Sequence, residues 1–123
     1  MEPSPYTERI ADLAEQARAA RASFEPPESP PAEEQALEYL REVFGPAVTL
    51  YIDARTGADH VRLTSEDFSR LDQALHDGLT LYLRCYGSEH DPDVTVRTAA
   101  ELLVETHNIR DTAQLLTDVP SRR

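Results

Sequence analysis

The chain has 123 residues, which suits one domain of modest size. With 40% hydrophobic residues, few aromatics and no Trp, its core must rest mainly on Leu, Val, Ile and Ala, and no apolar run approaches the roughly 18 residues that span a bilayer. Twenty-three acidic residues face twelve basic ones, for a net charge of −11, a balance that argues against nucleic-acid binding at ordinary ionic strength.

Every basic residue is Arg; lysine is absent. A GC-rich genome explains that choice, and so does life in molar salt, where screening shrinks to about 3 Å and a carboxylate surface stays hydrated. The acid excess favours the second, and in such a cell the charge argument against DNA is weakened. The N-terminus, Met1-Glu2-Pro3-Ser4-Pro5, lacks the basic and apolar regions of a signal peptide, so a cytoplasmic location is expected. One cysteine, Cys85, excludes an internal disulfide and a multi-cysteine zinc site.

Residues 5–22 predict an amphipathic helix with Tyr6, Ile10, Leu13, Ala17 and Ala20 on one face. Residues 25–32 hold four prolines within six positions and predict a semi-rigid linker. The expected organisation is therefore an N-terminal helix (1–24), a Pro/Glu-rich linker (25–32), one globular domain (33–120) and a frayed tail (121–123).

Within the domain, residues 33–44 predict a helix facing inward through Leu37, Leu40 and Phe44, stopped by Gly45-Pro46. Val48, Leu50 and Ile52 alternate with Thr49, Tyr51 and Asp53 as in a half-buried strand. A turn at 55–59 leads to a partner strand at 60–63. Thr64 is a good N-cap for the next helix. That helix either continues through Asp77-Gly78 to about Tyr86 or gives way there to a third strand; the long helix is favoured. Residues 87–93 read as a loop. Thr95 or Thr98 caps a helix to about His107, and Asn108 either ends it or caps a last helix over 109–116. The expected fold is α+β and helix-dominated: a β-hairpin packed by a long helix and a C-terminal helical pair, preceded by the tethered helix.

No glycine-rich phosphate loop, nucleophile elbow or zincin motif is present. The helices at 98–116 have the lengths of a helix-turn-helix and offer Arg110, Thr112 and Gln114 to a groove, with Asp111 among them. Cys85, His90, Asp91 and Asp93 are of metal-ligand types without a ligand spacing. His107, at a helix end, suits the helix dipole better than a Cys–His pair with Cys85. The densest patch of large side chains is Leu81-Tyr82-Leu83-Arg84-Cys85-Tyr86-Gly87.

That segment, Gly45-Pro46-Ala47-Val48-Thr49-Leu50-Tyr51 and Glu105-Thr106-His107-Asn108-Ile109 resemble a family of small haloarchaeal proteins with no assigned function, over about 32–120. The resemblance implies a self-contained domain and transfers no activity. No catalytic or metal residue and no cofactor is assigned. The expected role is a non-enzymatic interaction module or small regulator with a protein partner or self-association, and no membrane. Its candidate surface comprises Tyr6, Ile10, Leu13, Tyr82, Arg84, Tyr86, His107 and Arg110. The alternative is a transcription regulator using 98–116.

Overall fold

The computed structural model describes residues 6–56 and 62–120. All regular structure among them is helical: α1 (Thr7–Ser23), α2 (Glu33–Tyr39), a π-helical turn (Leu40–Phe44), α3 (Gly45–Thr56), α4 (Ser65–Cys85), α5 (Val96–Thr106) and α6 (Ile109–Thr117). The expected α+β fold is thereby corrected to an all-helical one.

The axis of the bundle is α4. Thr64 opens it with a reciprocal cap: its Oγ1 accepts from Asp67 N–H at 3.0 Å, and its own N–H donates to Asp67 Oδ2 at 3.3 Å. The helix then runs unbroken through Asp77-Gly78 to Cys85, which settles the choice between long helix and third strand. Leu71, Leu75, Leu79, Tyr82 and Leu83 are buried along it. Gly78 is tolerated mid-helix because another backbone crosses there. A Cβ on it would stand 3.0 Å from Phe44 N and from Val43 Cγ1.

The first predicted strand lies inside α3. Ala47, Val48, Leu50, Tyr51 and Ala54 are all buried, so the helix is covered on more than one side and its apolar residues show no clean helical stripe. Nor does Gly45-Pro46 stop the chain. In the π-helical turn, Gly45 N–H reaches Leu40 O, five residues back. Pro46 has no N–H for the carbonyl of Glu42, four residues back. Gln16 Nε2 on α1 donates to that carbonyl at 3.3 Å. Of the second predicted strand, Arg62 and Leu63 have no regular structure, while His60 and Val61 lie outside the described residues.

The tether is corrected as well. Thr7 Oγ1 donates to Asp67 Oδ2 at 3.2 Å, and Arg21 Nη1 donates to Asp77 Oδ1 at 2.9 Å. These two contacts, one toward each end, set α1 parallel to α4. Ile10, Leu13 and Ala17 belong to the common core, and the small Ala17 lets the helices approach closely. The proline segment folds back on the far end of α4, where Ala32 N–H donates to Cys85 O at 2.7 Å and Phe24 packs edge-on against Tyr39.

The chain beyond α4 turns back along it. His76 Nε2 meets Asp91 Oδ1 at 2.7 Å, and Asp72 Oδ1 accepts Val96 N–H at 2.8 Å, holding the start of α5. Thr95, rather than Thr98, caps α5 by accepting Thr98 N–H. His107 ends that helix in the left-handed conformation (φ 57°), and Asn108 Oδ1 caps α6 by accepting Asp111 N–H at 3.0 Å.

Candidate interaction surface

The predicted surface residues do not form one surface. Ile10, Leu13 and Tyr82 are interior. The Tyr82 hydroxyl donates to Val119 O, and burial raises its pKa above the ordinary tyrosine value. Tyr86 tilts against Tyr82 with ring centroids 5.1 Å apart. Arg84 Nη1 donates to Ser88 O at 2.9 Å, and Tyr6 sits beneath the Arg9 guanidinium. His107 and Arg110 are exposed, His107 as the left-handed cap and Arg110 on the first turn of α6.

The helix-turn-helix reading loses most of its contact residues. Thr112 is fully buried and its Oγ1 donates to Asn108 O at 2.8 Å. Gln114 Nε2 donates to Pro120 O at 2.7 Å. Arg110 alone of the three remains outward, beside Asp111. At the loop after α4, Cys85 is buried and its thiol is pushed up to about 11 by desolvation, so it stays protonated at neutral pH. Asp91 is engaged by His76, whose hydrogen bond holds its carboxyl below the usual range. Among the described residues, no three His, Cys, Asp or Glu side chains stand close enough to hold a metal ion.

A different surface emerges where α3 and α5 diverge. Tyr51, Ile52, Arg55 and Thr56 on α3 face Arg97, Ala100, Glu101 and Val104 on α5 across a hollow of about 370 Å³. Positions 97, 100, 101 and 104 share one face of α5 by helical spacing. Ala100 is small enough to leave the hollow open, and Val104 beside it is 58% exposed. Arg55 lies over the Tyr51 ring at 5.6 Å while its Nη1 donates to the Tyr51 hydroxyl at 3.0 Å. Arg97 Nε reaches Glu101 Oε1 at 3.4 Å. Phe68, 36% exposed, packs edge-on against Tyr51.

Over residues 4–121 the chain matches the family described as Domain of unknown function (DUF8055). The chain belongs to this family. No curated protein and no solved structure matches it. The DUF8055 match takes in α1 and the proline segment along with the rest of the bundle, consistent with one shared core. Among the described residues of this DUF8055 domain, no helix is long and apolar enough to cross a membrane.

The α3–α5 cleft escaped sequence reasoning because one of its two walls was read as a strand. With 45–56 helical, Tyr51, Ile52 and Arg55 fall on one side of α3, and Val104 is left outside the inward set Val96, Ala99, Ala100 and Leu103.

Proposed function

We propose that this DUF8055 domain is a non-enzymatic protein-interaction module, an adaptor or small regulator of the cytoplasm, and that the α3–α5 cleft is its docking face. The observation that carries the reading is Val104, an apolar side chain 58% exposed beside a hollow, on a chain with 23 carboxylates. Isolated apolar residues on a surface are ordinary; one that edges a preformed hollow with Ile52 and Tyr51 at its wall has the form of a socket.

The occupant proposed is an amphipathic helix of a different protein, with carboxylates flanking its apolar stripe. Arg55 and Arg97 stand on the cleft against the single acid Glu101. At ordinary ionic strength a second copy of the chain is the poorer occupant, since two bodies of net charge −11 repel.

The test compares affinity capture by the tagged wild-type chain and its Val104→Asp variant, from native lysate at ordinary ionic strength. A stoichiometric protein held by the wild type and lost from the variant supports the reading. Equal capture by both, or capture of nothing by either, overturns it.

A further inference from the structure

We propose that the groove between α1 and α4 is a binding site for a small, multiply charged phosphate compound, separate from the α3–α5 docking face. The groove encloses about 690 Å³ and is lined by Ala11, Ala14 and Ala22, with Ser69 and Gln73 opposite. Onto it converge Arg18, Arg21 and Arg70. Two carboxylates, Glu15 and Asp77, line it as well, and Glu66 beside it pairs with Arg70, so each of the three guanidinium groups is matched by one carboxylate.

The three arginines are held in two different ways. Arg21 is anchored: its Nη1 donates to Asp77 Oδ1 at 2.9 Å, and that carboxylate is 3% exposed and also accepts from Gln73 Nε2 at 3.1 Å. A guanidinium has five N–H donors in a fixed fork, so an anchored one keeps donors in place for a second acceptor. Arg18 and Arg70 are loosely held. Arg18 pairs with Glu15 and Arg70 with Glu66, each within one helical turn, and both carboxylates are about two-thirds exposed, at 65% and 71%. Exposed pairs of that kind contribute little to stability, so both arginines can exchange partners at small cost.

A ligand must out-compete those carboxylates, which selects high charge density and oxygens spaced for a guanidinium fork. Phosphates meet both requirements. The alanine floor adds no polar demand of its own and leaves room for an attached organic group.

The probe is inorganic pyrophosphate, titrated into the full chain by calorimetry and by thermal shift, with ionic strength held constant by KCl. Expected is saturable binding and a raised thermal midpoint. The double substitution Arg18→Gln/Arg70→Gln should weaken binding tenfold or more, while Arg110→Gln, far from the groove in sequence and lining no part of it, should not change it. Binding equal in wild type and double variant overturns the site. So does a midpoint shift that matched KCl reproduces, or a loss of affinity as large in Arg110→Gln.

Discussion

Gly78 lies against the backbone of Phe44: a methyl group added at Gly78 would stand 3.0 Å from Phe44 N and 3.3 Å from Phe44 Cα. That approach couples the middle of α4 to the π-helical turn, the junction where α2 becomes α3. It also sets two effects against each other. Alanine is better than glycine in a helix interior by about 1 kcal/mol, whereas overpacking a tight contact costs about 1–3 kcal/mol. Because the atoms in the way are backbone, packing should win. Gly78→Ala is therefore expected to lower the urea midpoint by the equivalent of up to about 2 kcal/mol. A raised midpoint would mean the two helices stand further apart in solution.

Removing residues 1–24 should unfold the bundle rather than release a tethered arm. The truncation exposes the core face that Ile10 and Leu13 cover, each burial contributing about 1.5–3 kcal/mol. It also leaves Asp77 buried without the Arg21 guanidinium. Against a typical total stability of about 5–15 kcal/mol, that loss is large. Circular dichroism of the truncated chain should show a weak, uncooperative thermal transition. A sharp transition at the wild-type midpoint would restore the arm-and-body view.

The sequence made α4, α5 and α6 legible because each carries its own boundary chemistry. Thr64 with Asp67, Thr95 with Thr98 N–H and Asn108 with Asp111 N–H are local signals that tertiary packing does not override. Residues 45–56 were illegible for two physical reasons. Gly-Pro normally terminates a helix, yet here the π-helical turn has already shifted the hydrogen-bond register by one residue. Moreover, a helix buried on more than one side loses the stripe that separates a 3.6 from a 2.0 period, so the apolar alternation of Val48, Leu50 and Ile52 won by default. For α1 the apolar face was legible and its burial was not: a shallow alanine stripe looks the same whether it docks on a partner or on α4.

Acid should loosen the segment after α4 through Asp91. The hydrogen bond from His76 depresses the folded-state pKa of this carboxyl. Its contribution is therefore present above the unfolded pKa and is lost as pH falls through the lower, folded value. Thermal midpoints from about pH 6 to about pH 3, a window bracketing the ordinary aspartate value, should fall more steeply for wild type than for Asp91→Asn. Parallel curves would show that the His76–Asp91 bond contributes nothing in solution.

Cys85 should behave as a core residue toward thiol reagents. With its pKa pushed up to about 11 by burial, only a minute fraction is thiolate at pH 8, and no path leads to the sulfur. Labelling by an aromatic disulfide at pH 8 is expected to be slow in buffer and complete within the mixing time in urea. Fast labelling of the folded chain would place the sulfur at the surface.

Site-specific photocrosslinking in native cells tests the docking face most directly. A benzophenone amino acid is placed at Val104 in one variant and at the exposed Glu34 on α2 in another. Expected is one discrete adduct of defined mass from position 104 and none from position 34. No adduct from position 104, or the same adduct from both positions, contradicts a partner seated between α3 and α5.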